Sequence, residues 1–219
     1  MNDMKKTIKS VLTLFLLFTT FALPCMGQLD ARDLLDKTAA QIRKSNGIEA
    51  NFVLTNYKQG FKQSSSKGMI RLKGEKFHIE TQGILTWFDG KTQWTYLNEN
   101  EEVNICNPTE EELQNINPLL LTSLYKKGYE CSLGKRKEYE GKAIYEVILT
   151  DYNGDNLLAN VTLYITQTDF IPVYIKVKEK GQSYNIIEIK DYDKGKKFED
   201  KIFRFNTKQF PNAEIIDLR

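Results

Sequence analysis

Alternation of hydrophobic and polar positions dominates this chain, and it predicts a mainly β protein with one helix near the start. From Asp30 to Lys44 the apolar side chains instead recur every three or four positions, as they do on one face of a helix. Asp30 suits the N-cap of this helix, and Asn46-Gly47 suits its end. The next segment, Ile48 to Leu54, alternates strictly and is predicted to be a strand.

Short alternating runs follow as far as residue 205, and turn residues separate them. They predict strands at Gly68–Leu72, Phe77–Thr81, Ile84–Phe88, Lys91–Leu97, Glu102–Cys106, Tyr129–Leu133, Ala143–Tyr152, Asn160–Thr166, Val173–Glu179, Tyr184–Tyr192 and Ile202–Phe205. The polar, serine-rich run Gln59–Lys67 is predicted to be a loop or a hairpin tip. About eleven strands are too many for one flat sheet, so they either curl into a barrel, closed or partly open, or split into two sheets.

One predicted hairpin, Ile84–Leu97, has an unusually apolar face and turns at Asp89-Gly90. A two-residue type I′ turn at this dipeptide would pair Trp87 with Thr92. Because side chains alternate along a strand, both tryptophans of the protein then share one face of the hairpin. That face carries Leu85, Trp87, Thr92, Trp94 and Tyr96. Such a face either packs into a core or binds an apolar ligand.

A leucine-rich segment interrupts the strands between residues 109 and 124. Thr109 suits a helix N-cap followed by acidic residues, and Asn117-Pro118 breaks the segment, so two short helices are predicted. The apolar content of the segment exceeds what a solvated connector needs, which makes it a candidate lid or plug. The apolar positions of this candidate lid are Leu113, Ile116, Leu119, Leu120, Leu121 and Leu124.

Residues 1–27 have the pattern of a cleaved signal peptide, so residues 28–219 are expected to form a single exported domain. Three lysines precede the apolar run Val11–Leu23, whose thirteen residues are few for a membrane span. Small residues near Gly27 suit the cleavage site. The alternative is lipoprotein processing at Cys25, which the preceding Leu23-Pro24 does not favour.

The charge and the cysteines of the expected mature chain restrict its chemistry. Removal of residues 1–27 leaves 28 basic and 28 acidic residues, so the formal net charge is zero. There is thus no electrostatic case for binding nucleic acid. Cys106 and Cys131 remain, and in an oxidising compartment they either form a disulfide or stay as two thiols.

Few residues of the chain suit catalysis. The one histidine, His78, alternates with Phe77 and Ile79 and is interpreted as a surface residue. Without it no Ser-His-Asp or Cys-His set can form, and lysine-based chemistry stays open as an alternative. No Cys/His cluster has the spacing of a zinc site. Residues 151–155 lack the distal glutamate of a calcium loop and are interpreted as a hairpin turn. The protein is therefore expected not to be an enzyme and to hold no cofactor and no metal.

The aromatic and aliphatic side chains have two interpretations. They either fill a packed core, as in most β domains, or line a cavity that about eleven curled strands would enclose. A cavity of this kind suits acyl chains, because each buried methylene contributes ~0.8 kcal/mol. On the second interpretation, the inward positions of the strands are candidate ligand-binding residues: Phe52, Leu54, Ile70, Leu72, Phe77, Ile79, Leu85, Trp87, Trp94 and Tyr96.

Four stretches, in this order, resemble the periplasmic outer-membrane lipoprotein carrier family, the LolA-like proteins. The first is the amphipathic helix that leads into IEANFVLTNY at residues 48–57. The second is GMIRLKGEKFHIE at residues 68–80, and the third is WFDGKTQWTYLNENEEV at residues 87–103. The fourth is the ending FRFNTKQFPNAEIIDLR at residues 203–219. Together they span most of residues 28–219.

The resemblance implies the lipoprotein localisation factor fold: a half-open antiparallel barrel of about eleven strands with an N-terminal helix and short lid helices. It implies a soluble, monomeric periplasmic carrier that binds the acyl chains of lipoproteins in a hydrophobic cavity and takes them from the inner to the outer membrane. Its implied partners are acylated lipoproteins, an inner-membrane lipoprotein-releasing transporter and an outer-membrane acceptor. Where well-known members carry an arginine that latches the closed lid, this chain has Lys73-Gly74, whose lysine lacks the planar donor fork of arginine.

The sequence thus favours a carrier, with two other functions considered. An envelope sensor or regulatory lipid-binding module on the same scaffold is the alternative. An enzyme that acts on lipids is disfavoured, because the chain offers so few catalytic residues.

Overall fold

The structure is a computed structural model that describes residues 29–109, 112–113, 118–154 and 156–219, with the backbone alone at residues 118–120. Within these ranges one sheet of thirteen strands accompanies a single long helix, α1 (Ala31–Lys44). The strands are β1 (Ile48–Lys58), β2 (Phe61–Lys73), β3 (Lys76–Thr81), β4 (Ile84–Phe88), β5 (Gln93–Leu97), β6 (Glu102–Cys106), β7 (Glu130–Leu133), β8 (Glu138–Tyr139), β9 (Lys142–Thr150), β10 (Leu158–Thr166), β11 (Pro172–Glu179), β12 (Ser183–Lys194) and β13 (Glu214–Asp217). Two 3-10 helices lie at Pro118–Lys127 and Asp200–Phe203. Among the described residues, no helix combines the length and the apolar composition that spanning a membrane requires.

Helix α1 forms as its sequence predicts. The side chain of Asp30 caps it by accepting a hydrogen bond from the backbone N–H of Arg32 at 3.3 Å. Leu34, Leu35 and Ile42 lie on its buried face, at the spacing that the apolar pattern indicated. This face packs the helix against the sheet.

The sheet is open rather than closed, and its strand order is β13-β6-β5-β4-β3-β2-β1-β12-β11-β10-β9-β7, with β8 paired to β9. All neighbouring pairs are antiparallel except β13 and β6, which are parallel. The first and last strands of this order do not pair with each other. The expected mainly antiparallel, half-open sheet with an N-terminal helix is confirmed, with thirteen strands where about eleven were expected.

Two segments differ from their predicted structure. The serine-rich run at 59–67 was expected to be a loop, but most of it belongs to β2, which pairs with β1 through Phe61. Its polar side chains bond across the pair: Asn56 donates to the Ser64 hydroxyl at 2.7 Å. The predicted strand Ile202–Phe205 is also wrong, because a 3-10 helix occupies Asp200–Phe203.

The two faces of the sheet have different environments. The inner face, defined here as the one that carries Ile70, packs against α1 through two clusters of buried apolar side chains. The outer face, which carries Arg71, has one smaller cluster, where Trp87 and Tyr96 meet Phe210 from the C-terminal segment. Directly paired residues of neighbouring strands share a face, so the register of the strands assigns each residue to one side.

The register of the β4–β5 hairpin differs from the predicted one by two residues. Trp87 pairs with Trp94, not with Thr92, and the loop holds four residues, 89–92. The carboxylate of Asp89 accepts hydrogen bonds from the backbone N–H groups of Lys91 and Thr92, at 3.1 and 3.0 Å. These bonds stabilise a longer turn than the two-residue one that Asp-Gly favours. A shift of two residues leaves both tryptophans on one face, as predicted.

The cysteines and the start of the leucine-rich segment are also defined. Cys106 and Cys131 are free thiols, in strands at different places along the sheet, so the disulfide alternative is wrong for this structure.

Thr109 and Glu112 form a capping box: the Glu112 N–H donates to the Thr109 hydroxyl at 3.3 Å, and the Thr109 N–H donates to the Glu112 carboxylate at 2.7 Å. The predicted N-cap therefore has its expected contacts.

Candidate functional site

A cavity of about 440 Å³ lies on the inner face, between the sheet and the 3-10 helix at Pro118–Lys127. Its walls are mostly apolar side chains: Phe52, Leu54, Ile70, Ile79, Leu121, Leu157, Leu158, Val177, Ile187 and Ile189. The central pair β1 and β12 supplies facing residues, since Leu54 pairs with Ile187 and Phe52 with Ile189. Several of these side chains are only half-buried, in contrast to the fully buried residues beneath α1. The cavity is therefore an apolar surface that the protein itself does not fill.

Polar side chains also line this cavity. Thr81, Glu179 and Asn185 are the polar residues of its described lining, and each lies two positions from an apolar lining residue on the same face of its strand. On β11 the inward series runs from Val177 to Glu179, and on β12 it runs from Ile187 to Asn185. Asn185 pairs with Val177, so Glu179 and Asn185 lie together at one end of the cavity, whereas Thr81 pairs with Gly68 and is level with Phe52. The cavity thus has an apolar interior and a polar mouth.

Four of the ten candidate ligand-binding residues line this cavity, namely Phe52, Leu54, Ile70 and Ile79. Leu72 and Phe77 share their face but lie further along the sheet, buried in a closely packed cluster with Ile42 of α1. The prediction that Leu72 and Phe77 line the cavity is therefore wrong. They form core beside the cavity rather than its wall.

The four candidates from the β4–β5 hairpin lie on the other face. Trp87 pairs with His78, whereas the cavity residue Ile79 pairs with Thr86, so the strand alternation turns Trp87 away from the cavity. The prediction that the hairpin residues lie on the same cavity as Phe52 and Ile79 is therefore wrong, and Leu85 and Trp87 instead line a different cavity on the outer face, as described below. The hairpin residues concerned are Leu85, Trp87, Trp94 and Tyr96. They pack instead against Phe205, Phe210 and Ala213 of the C-terminal segment.

The candidate lid is partly defined. Leu121 lines the cavity, Leu124 is buried against α1, and Leu113 packs beside the cluster that contains Phe77. Ile116 lies outside the described residues, and the side chains of Leu119 and Leu120 lie outside them too. Leu121 is thus the described side chain of the candidate lid that lines this cavity.

The sequence-based candidates omitted the half of the wall that β10–β12 and the β9–β10 loop supply. Val177, Ile187 and Ile189 alternate with polar residues along their strands, a local signal for one apolar face. The alternation does not indicate that β12 pairs with β1, because more than a hundred residues of sequence separate the two strands. That pairing sets these side chains beside Phe52 and Leu54.

A second cavity, of about 730 Å³, lies on the outer face between β3–β4 and the C-terminal segment. It contains charged groups: the Arg71 guanidinium donates to Glu49 at 2.8 Å and also bonds Glu80. Its Nη1 lies 3.3 Å from Nδ1 of His78, and since arginine only donates, this nitrogen accepts and the imidazole proton is on Nε2. Burial lowers the pKa of His78 to about 4; Glu80 opposes this shift and Arg71 adds to it. His78, interpreted from the sequence as a surface residue, is in fact buried.

Lys73, the residue that the family resemblance set against a lid-latching arginine, contacts the C-terminal segment. Its ammonium donates to the Phe198 carbonyl oxygen and to the Asp200 carboxylate, both at 2.8 Å. Lys76 donates to the same carboxylate at 2.6 Å. These two lysines hold the pKa of Asp200 at about 2, below its ordinary value. Lys73 therefore holds the C-terminal segment against the outer face of the sheet. Among the described residues it makes no hydrogen bond or ion pair with the candidate lid.

The architecture and the sequence agree on a family. A family model described as outer membrane lipoprotein carrier protein LolA matches residues 19–182. The chain belongs to the LolA family. Its scaffold is thus that of lipoprotein-binding carriers, and the open, mainly antiparallel sheet with an N-terminal helix is the architecture that the family resemblance implied.

Individual relatives of this LolA family member are distant. An uncharacterized conserved protein from Thermus thermophilus has a TM-score of 0.59 at 14% identity, covering 85% of this chain and 98% of that one. A LolA superfamily protein from Nitrosomonas europaea has a TM-score of 0.44 at 15% identity, covering 81% of this chain and 99% of that one. An uncharacterized protein from Methanocaldococcus jannaschii is 23% identical over 184 residues, which are 80% of this chain and 54% of that protein. The chain therefore spans about half the length of this curated relative.

Proposed function

We propose that this protein is a carrier that holds the acyl chains of lipoproteins in its inner cavity while they cross the periplasm from the inner to the outer membrane. The observation that supports the proposal most directly is the apolar cavity of about 440 Å³, whose walls are left partly exposed. Its volume is within the range of about 300–1,000 Å³ that ligand pockets occupy. Each methylene that enters it contributes ~0.8 kcal/mol, so one long acyl chain supplies a strong driving force.

The lid gives this carrier a means of release. Leu121 lines the cavity from the 3-10 helix, and this helix contacts α1 through the buried side chain of Leu124 and through exposed polar contacts. The Tyr125 hydroxyl donates to Asp36 at 2.5 Å, and Lys126 lies 3.3 Å from the same carboxylate. Exposed contacts of this kind contribute little free energy. The lid and the acyl chain then compete for the same apolar surface, and shifting the lid toward that surface expels the chain.

The rest of the proposal follows from the family. Residues 1–27 act as a cleaved signal peptide that sends residues 28–219 to the periplasm as one domain. An inner-membrane transporter loads the protein and an outer-membrane acceptor unloads it, and the protein acts as a monomer. It changes no covalent bond of its cargo, and it needs no metal or cofactor for this task.

A pair of adjacent substitutions tests the cavity. Leu54 lines it, while Val53, the next residue of β1, is also half-buried but pairs with Lys67 and Glu188 on the outer face. Leu54→Glu places a carboxylate in the cavity and is expected to weaken binding of a hydrophobic fluorescent dye by about ten-fold or more. Val53→Glu is the matched control and is expected to leave dye affinity unchanged. Equal affinities in folded Leu54→Glu and wild-type protein would refute the carrier proposal.

Cargo analysis tests the ligand class. Protein exported with its own leader and purified without detergent is expected to retain acylated polypeptides or lipids that mass spectrometry detects, and the Leu54→Glu variant is expected to lose them. A wild-type preparation free of acyl-bearing material, which also fails to bind the dye, would contradict the proposal. Stable capture of a membrane regulator, with no acylated cargo, would favour the sensor alternative.

A further inference from the structure

Two polar residues, Glu179 and Asn185, occupy inward-facing positions of neighbouring strands at the mouth of the cavity. Glu179 ends β11, and Asn185 lies near the start of β12. Further in, the same faces carry only apolar lining residues. An amphipathic ligand in this cavity therefore has one favourable orientation, with its chain inside and its head group at the mouth.

Glu179 gives this mouth a charge. Among the described lining residues it is the one ionisable side chain, and it is exposed. Within the described part of the chain it has no ion pair and no side-chain hydrogen bond, unlike Glu49, Glu80 and Glu188, which all have cationic partners. Glu179 is thus free to pair with a ligand.

The lysines near this end of the sheet form no ion pair with Glu179. Lys178 lies on the outer face, where it pairs with Tyr184. Lys180 bonds the carbonyl oxygen of Gly154 in the β9–β10 loop. Lys58, at the end of β1, pairs with Ser183, two residues beyond Asn185, and it is not a lining residue. The lining of the mouth itself therefore has a negative charge.

We propose that the cavity selects acyl-bearing ligands with a protonated amine in the head group, such as an acylated polypeptide whose N-terminal amine is unblocked. The carboxylate of Glu179 pairs with the ammonium, and the side-chain oxygen of Asn185, on the neighbouring strand, accepts a further hydrogen bond from it. A ligand with a further acyl group on that nitrogen has no charge there and loses this pairing. The inference rests on the proposed function, because it needs an acyl chain in the cavity.

Three probes with the same alkyl chain test the head group. Dodecylamine, dodecanol and dodecanoate, each below its micelle concentration, compete for the hydrophobic dye at neutral pH and low salt. Dodecylamine is expected to bind about two- to five-fold more tightly than dodecanol, as an exposed ion pair allows, and dodecanoate more weakly than either. High salt is expected to reduce the preference for the amine, since it screens exposed charges.

Glu179→Gln is expected to abolish the preference for the amine while dodecanol binds as before. Glu99→Gln is the matched control, because it removes the same charge from an exposed turn residue that is not in the cavity lining. Equal binding of the three probes by wild-type protein, a preference for dodecanoate, or an amine preference that survives Glu179→Gln would each overturn the inference. The failure of the proposed function has a different signature, because then none of the three probes displaces the dye.

Discussion

His78 stacks on Trp87 across β3 and β4, with ring centroids 5.0 Å apart and planes 11° from parallel. This stack is on the outer face of the sheet, and it buries the histidine so that Nε2 has no hydrogen-bond partner among the described residues. Charging a ring in this place is unfavourable because the imidazolium would lose its hydration. The folded protein is therefore more stable when His78 is neutral than when it is protonated.

Acidification is expected to destabilise the protein through this ring. The pKa of His78 is about 4 in the folded protein, against 6.5 for an ordinary histidine. Between these values the unfolded chain binds a proton that the folded protein does not, so the free energy of unfolding falls as the pH drops from 6.5 to about 4, by about 1–3 kcal/mol. Urea unfolding at about pH 7, 5.5 and 4.5 measures this loss.

His78→Phe is the control for this pH dependence. It keeps an aromatic ring on Trp87 but cannot take up a proton, so its stability is expected to change less over the same interval. Carboxylates that titrate in both proteins cancel in the comparison. Parallel pH profiles for the two proteins would show that His78 is not the group responsible.

Substitution of Trp87 is expected to affect stability and not ligand binding. Its ring contacts Phe205 and Phe210 edge-on, at centroid distances of 5.6 and 5.8 Å, and it is buried on the face opposite the cavity. Trp87→Ala therefore removes a large buried side chain and is expected to lower the free energy of unfolding by about 3–5 kcal/mol. Dye affinity, measured where the variant is still folded, is expected to stay at the wild-type value. A folded variant that no longer binds dye would place this side of the hairpin in the binding site.

The turn at Asp89 supplies a third prediction. The carboxylate of Asp89 accepts two backbone hydrogen bonds within the turn and lies 3.0 Å from Nε of Arg204. Asp89→Ala leaves the turn donors without these partners and is expected to cost about 1–2 kcal/mol, measured by urea unfolding. Arg204→Gln removes only the exposed ion pair and is expected to cost less than about 1 kcal/mol. Equal losses in the two variants would mean that Asp89 stabilises the protein through its ion pair with Arg204 and not through the hydrogen bonds of the turn.

Gly68 and Phe52 are expected to be coupled. A Cβ at Gly68 would lie 2.4 Å from Cζ of Phe52 and 2.7 Å from the backbone oxygen of Glu80. Gly68→Ala therefore pushes the Phe52 ring into the cavity and is expected to cost about 1–3 kcal/mol in stability and to weaken dye binding.

A double-mutant cycle tests this coupling. Phe52→Leu shortens the side chain, so the double variant is expected to lose less than the sum of the two single losses, by about 0.5 kcal/mol or more. The relief is partial because the contact with the Glu80 backbone stays. Strictly additive losses would show that the ring does not limit the space at Gly68.

The elements that depend on local patterns could be predicted from the sequence. The cap and the apolar face of α1, the inward alternation of β1 and the capping box at Thr109 all follow from residues a few positions apart. For the same reason Phe52, Leu54, Ile70 and Ile79 were correctly expected to share a face. In each case neighbouring side chains contain the whole signal.

The residues that were placed wrongly depend on distant parts of the chain. Trp87 and Trp94 are apolar, as the residues of a cavity wall are. Their place on the outer face follows only from the register of β3 against β4 and from their packing against Phe205 and Phe210. The serine run in β2 looks like a loop because its partners, Thr55 and Asn56, are polar as well. A polar cross-strand pair leaves no hydrophobic alternation to read.

The pairing of β1 with β12 has a consequence for the order of folding. This pair joins strands whose facing residues Ile48 and Lys194 are separated by most of the described chain, and such non-local contacts form late because they close a long loop. The cavity spans this pair, with β1, β2 and β3 on one side and β10, β11 and β12 on the other. A chain that has emerged only as far as β11 can already form both meanders, yet it has no enclosed apolar surface to offer a lipid. On the proposed carrier function, the binding of cargo therefore requires the completed fold, because the cavity wall is complete only when β12 has paired with β1.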